Sequence, residues 1–217
     1  MPAELVAALA ALPGPAGGKR ERTRAQLLNA AVQVFSARGV ALGTLQEIAS
    51  VAGVANGTVH HHFASKDELV LQLATSMAEG LCRAIQDSSA HVREGAERMA
   101  IGNRRYLWLA QASPAWAMVL LEVAMAAPDA FTNVRKYPLA DLRLGVRQKS
   151  FRVASEAAAM DMIAGTVTQA MRSIALGGAP AGHAEAVATT VLGGLGVPAA
   201  QAQEIARRPL PPFRPAA

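Results

Sequence analysis

The sequence predicts an all-α fold in two parts, a three-helix unit over residues 19–66 and a larger helical body over 67–208, with tails at 1–18 and 209–217. Three observations predict it. The chain is rich in alanine, the strongest helix former. Apolar residues recur at three- and four-residue steps from Leu27 to Leu195, the period of a helix with one buried face. Helix starts are marked by cap pairs, such as Thr44 with Glu47 and Ser65 with Glu68, whose side chains satisfy the unpaired N–H groups of a first turn. At 217 residues the chain is long enough to bury a sizeable core.

The N-terminal MPAELVAALAALPGPAGG resembles a secretory leader in its apolar stretch, but Glu4 stands where positive charge belongs and the basic residues follow the apolar segment instead of preceding it. It reads as a tail with a short helical turn and a Pro-Gly linker. Lys19, Arg20, Arg22 and Arg24 then open an amphipathic helix running to about Arg38, with Leu27, Leu28, Ala31, Val32 and Phe35 as its buried stripe and Gly39 as its stop. The cluster reads either as a solvated helix start or as a set of phosphate contacts.

Thr44 and Glu47 open a second helix with Leu45, Ile48, Ala49 and Ala52 on one side, and Gly53 supplies a sharp turn. In the next helix Val54, Val59 and Phe63 point inward, which leaves Asn56, Gly57, His60 and His61 on a face with nothing apolar to bury. Ser65 and Glu68 open the following helix beside Lys66. Two short helices joined by a glycine turn, the second polar on its outer face, form a helix-turn-helix. Charge agrees with this placement: of a net charge of +5, residues 19–66 carry +4.

The run Gly57-Thr58-Val59-His60-His61-His62-Phe63, followed by Ser65-Lys66-Asp67-Glu68-Leu69 and preceded by Leu27-Leu28, Ala31, Phe35 and Gly39, resembles TetR-type transcriptional regulators over about the first third of the chain. The resemblance implies a ligand-responsive DNA-binding regulator, a repressor that grips a two-fold double-stranded operator as a homodimer. The expected DNA contacts are Arg22, Thr44, Ala55, Asn56, Gly57, Thr58, His60, His61 and Lys66, of which Thr44, Thr58 and Lys66 match phosphate-contacting positions of the family. Asn56 suits base readout, since an amide can pair with adenine through two hydrogen bonds. The family usually has Tyr at the position of His60 and often Ser at that of Ala55. An imidazole can still donate to a phosphate, the more so once protonated.

Downstream, Leu69, Leu73, Met77, Leu81 and Ile85 prolong the helix opened by Ser65 until a polar break at Asp87 to Ser89, giving a link long enough to join the two parts. Further helices are expected over about His91 to Ala112, from Ser113-Pro114 with Ser as cap, and from Pro128 onward with a kink or break at Pro138. Gly145 to Val153 reads as a connection, followed by helices from Ser155 to Gly177 and from His183 to Leu195. In the resembled family the last two long helices pair with their copies, which points to Ile163, Val167, Met171, Ile174, Val187, Val191 and Leu195 as a dimer interface; packing within one chain is the alternative. A small apolar effector would sit among Met99, Asn103, Trp108, Trp116, Met118, Glu122, Met125, Phe131, Met162 and Gln169, any of which could equally be plain core or surface.

Other chemistry has little to stand on. Successive helical residues diverge by about 100°, so the three adjacent histidines cannot converge on one metal ion. The chain has no Gly-rich phosphate loop, nucleophile elbow or HExxH pattern, so neither an enzyme nor a cofactor is expected. No apolar run is long enough for a membrane span, and the lone Cys82 fits a reducing cytoplasm. An effector-independent regulator, an activator, or a helix-turn-helix module that binds protein instead of DNA remain open alternatives.

Overall fold

The computed structural model describes residues 18–212. The expected helical turn and linker before residue 18, and residues 213–217 of the expected C-terminal tail, lie outside the described residues. Among the described residues there are ten α-helices and no strand: α1 Lys19–Leu42, α2 Leu45–Ala52, α3 Asn56–His62, α4 Lys66–Ser88, α5 Gly95–Ala112, α6 Pro114–Ala126, α7 Thr132–Arg147, α8 Glu156–Ala175, α9 His183–Gly194 and α10 Ala199–Arg207. A 3-10 turn, Pro128–Phe131, joins α6 to α7. No single described helix is long and apolar enough to cross a membrane.

The local signals of the first part are realised closely. Thr44 Oγ1 accepts from Glu47 N while Glu47 Oε2 accepts from Thr44 N, so both arms of the capping box form. Gly53 adopts φ 67°, a left-handed turn that a side chain would strain. At Ser65 only one arm forms as expected: its hydroxyl accepts from Glu68 N, but Glu68 Oε2 accepts from Ala64 N, one residue upstream. Gly39 does break α1, with φ 78° and ψ 157°, yet one more turn follows it to Leu42.

The second part departs from the sequence reading in five places. The fifth helix begins at Gly95, not near His91. Ser113 occupies the cap position of α6, with Pro114 first in the helix, but makes no side-chain capping bond. Pro138 lies inside an unbroken α7, because Lys136 and Tyr137 immediately before it both bind Glu79 of α4 and anchor that turn. The same helix continues to Arg147, so the connection starts at Gln148 instead of Gly145. Finally, α10 follows the expected end of helical structure; its buried residues are Ala202, Ile205 and Ala206, a weak apolar signal in a short polar run.

The core is continuous from α1 to α10. Arg98 Nε donates to Asp141 Oδ1 at 2.7 Å, tying α5 to α7, and Arg104 binds Glu185 at 2.9 Å, tying α5 to α9. Where α5 begins, a Cβ added at Gly95 would lie 2.5 Å from Gly145 N, so two backbones touch at this crossing. Backbone cannot swing aside as a side chain can. Gly95→Ala should therefore lower stability by about 1–3 kcal/mol, read as a reduced urea midpoint with an unchanged slope.

Candidate nucleic-acid interface and inner cavity

The turn between α2 and α3 is fixed from beneath. Val59 and Phe63 are fully buried, and Phe63 N donates to Val59 O, closing α3 against the core. Arg24 of α1 stacks over the Phe63 ring, 4.6 Å from its centroid, and its guanidinium donates to His62 O and to Gln72 Oε1 of α4. Gln26 of α1 reaches Ala52 O at 2.6 Å and holds the end of α2. With that underside secured, Ala55, Asn56, Gly57, His60 and His61 stand exposed on the opposite side.

The expected DNA contacts thus divide into three kinds. Arg22, Ala55, Asn56, Gly57, His60 and His61 are exposed, and Thr58 is half-buried. Thr44 is also exposed, but its hydroxyl is engaged with Glu47 in the cap, and Glu47 in turn pairs with Arg38. Lys66 is drawn inward: its Nζ donates to Ala41 O at 2.9 Å and lies over the Phe35 ring. In the basic cluster Arg24 is a structural tie, while Lys19, Arg20 and Arg22 remain exposed.

From this unit α4 runs without a break into the second part, where Cys82, Ile85 and Gln86 form one wall of a cavity of about 210 Å³. Met99, Gly102, Asn103 and Tyr106 of α5 form a second wall, Phe131 with Val134, Tyr137 and Asp141 of α7 a third, and Met160, Ile163 and Val167 of α8 a fourth. The lining is mainly apolar. Burial pushes the Cys82 thiol up to about 12 and raises the Tyr106 hydroxyl as well, so both stay protonated near neutrality. A second connection joins the two parts: Trp116 Nε1 of α6 donates to Ser36 Oγ of α1 at 3.3 Å, and its ring lies 6.5 Å from that of Phe35.

Of the expected pocket residues the structure brings Met99, Asn103 and Phe131 to the cavity. The others lie elsewhere. Trp116 is spent on the α1–α6 contact, Glu122, Met125 and Gln169 are exposed, Met162 lies where a side chain at Gly194 would meet it, and Trp108 and Met118 are not in the lining. Missed were Tyr106, Gln86, Tyr137 and Asp141. Only the spacing of Met99, Asn103 and Tyr106 along one helix face offered a signal for any of them. Of the expected dimer residues, Ile163, Val167, Met171, Val187, Val191 and Leu195 are buried within the single chain, and Ile174 is half-buried. Their stripe faces inward to the chain's own helices. No group of three His, Cys, Asp or Glu side chains among the described residues could hold a metal ion.

Comparison with known proteins gives two family matches. The bacterial regulatory proteins of the tetR family match residues 27–73, and the tetracyclin repressor-like C-terminal domain matches residues 94–208. The chain is 48% identical over 59 residues to the HTH-type transcriptional regulator TtgR of Pseudomonas putida, covering 27% of this chain and 28% of that protein. It is 38% identical over 80 residues to the HTH-type transcriptional repressor KstR2 of Mycobacterium tuberculosis, covering 36% of this chain and 40% of that one. The matches therefore span less than half the length of these curated relatives. Among solved structures, RolR in complex with resorcinol superposes with a TM-score of 0.69 at 24% identity over 90% of this chain and 98% of that one, a likeness of fold.

One titratable group is built into the interface from below. His62 is buried, its Nδ1 has no partner, and burial first, then the charges of His61, Arg20 and Arg24, hold its imidazole below the ordinary 6.5. The unfolded chain accepts this proton more readily than the folded one, so stability is intact above the unfolded value and falls as pH drops toward the lowered folded value. Thermal midpoints followed from about pH 8 to about pH 5 should decline less steeply for His62→Gln than for the parent.

Proposed function

Because the chain belongs to the TetR family of bacterial regulatory proteins, we propose that it is a DNA-binding transcriptional regulator, a repressor that holds a two-fold operator as a homodimer and releases it when a small, mostly apolar effector enters the cavity. One observation carries the reading: a polar, exposed face on α3 is set on a rigid buried base and joined by the unbroken α4 to a ligand-sized cavity. In this reading residues 19–66 are the DNA-reading unit and 67–208 the effector-binding and dimerising unit, at work in the cytoplasm.

Asn56 and His60 would meet the major groove while Arg22 and its exposed neighbours meet phosphates. The two-fold contact would use the outer faces of α8 and α9, where Gly165, Ala186, Thr190 and Gly193 are exposed and small enough for close approach and Gln169 is exposed beside them. An effector that favours one arrangement of α4 against α5 and α7 shifts the spacing of the two α3 helices, provided it binds the two states with different affinity. The resorcinol held by RolR is consistent with an effector of modest size.

Retaining fragments of genomic DNA on the purified protein should enrich a two-fold site whose halves lie about one helical turn, roughly 34 Å, or a multiple of it, apart. Failure to enrich any symmetric site would sink the proposal. Arg22→Ala should reduce the slope of log affinity against log salt by about 0.9, the loss of one phosphate contact. Asn56→Ala should instead leave the slope unchanged and cost about 1–3 kcal/mol of discrimination at one base pair. Arg24→Met should weaken all sequences alike, with an unchanged slope, because it loosens α3 without touching a phosphate.

A further inference from the structure

The α5 wall of the cavity carries two features that weaken the ligand-free protein. Asn103 is 5% exposed, and its Nδ2 finds no acceptor among the described residues. A buried amide group without a partner is destabilising. Next to it, Gly102 sits inside a helix, where glycine is less stable than alanine, yet a Cβ added there would meet nothing within 4 Å. Gly95 of the same helix is required by a touching backbone; no such contact explains Gly102. Both residues line the cavity. Open space beside Gly102 and an unpaired donor on Asn103 are thus adjacent on the cavity wall.

The charges nearby restrict what that ligand can be. Asp141 is matched by Arg98 and by Gln86, and Arg135 faces Asp161 at 3.7 Å. No unmatched charge among the lining residues calls for an ion. Met99, Phe131, Val134 and Val167 supply an apolar surround, and a volume of about 210 Å³, below that of drug-sized ligand sites, restricts the occupant to a compact molecule. We propose that this cavity binds a compact, neutral, largely apolar molecule through one oxygen, a hydroxyl or carbonyl, which accepts from Asn103 Nδ2 beside the space left by Gly102. The proposal rests on reading the cavity as an effector site and adds the ligand's class and its anchor. A hydroxyl is the more versatile partner, since it satisfies either end of the amide.

Three probes of one frame separate the requirements: 4-propylphenol, propylbenzene and 4-propylbenzoate, titrated calorimetrically into the full chain. The phenol should bind about tenfold more tightly than the hydrocarbon, and the carboxylate most weakly. Asn103→Leu should raise the thermal midpoint of the ligand-free protein and bring phenol and hydrocarbon within about twofold of each other. Gly102→Ala should also raise the midpoint while weakening all three probes, because its methyl occupies that open space. The midpoint doubles as the check that each variant folds. Equal binding of phenol and hydrocarbon by the parent, tightest binding of the carboxylate, no saturable binding of any probe, or a midpoint lowered by Asn103→Leu would each overturn the inference. Operator release is a separate readout: phenol binding that leaves DNA retention unchanged upholds the ligand class and removes the effector role.

Discussion

The structure depends on one stripe of side chains. Leu69, Leu73, Met77, Leu81 and Ile85 recur every four residues along α4, and all are buried. The first of them belong to the core beneath the helix-turn-helix, and the last lies in the wall of the cavity. A single rigid element is thus shared by two packing problems, and neither part can rearrange against α4 without disturbing an interior that is packed at near-crystalline density. This helix is also tied along its length, by Lys66 to Ala41 at its start and by Glu79 to Lys136 and Tyr137 past its middle. What happens at α7 therefore has a short mechanical route to the base of α3.

Basic residues near the interface do two distinct jobs that charge counting does not separate. Arg24 uses its planar guanidinium to cover an aromatic ring and bind two acceptors, a geometry suited to holding helices together. Arg22, two residues earlier, points to solvent. The histidines divide in the same way: His60 and His61 are exposed and His62 is buried, although nothing but a step of about 100° per residue distinguishes them.

The parts of the fold that could be read in the sequence are those set by short-range rules. The Thr44–Glu47 box, the turn at Gly53 and the inward Val59 and Phe63 all follow from spacings of three or four residues. The cavity could not be read this way, because it is defined by what fails to fill it. Large side chains such as Trp116 and Met162 look like pocket material but find partners and occupy space, whereas Gly102 matters for having no side chain. Helical periodicity likewise shows that Val167, Met171 and Val191 are buried without saying against what. Their partners are helices of the same chain, some of them distant in sequence. Pro138 and α10 fail for a related reason, since tertiary ties hold the first in a helix and neighbouring helices supply the burial for the second.

The contact between Trp116 and Phe35 gives the molecule its own optical gauge. The chain has only two tryptophans, and this one bridges α6 and α1 with its indole N–H on Ser36. Indole emission responds to hydrogen bonding and to the polarity around the ring, so loss of the Ser36 contact would change the fluorescence of the unlabelled protein. Emission from this indole therefore reports on the α1–α6 contact itself.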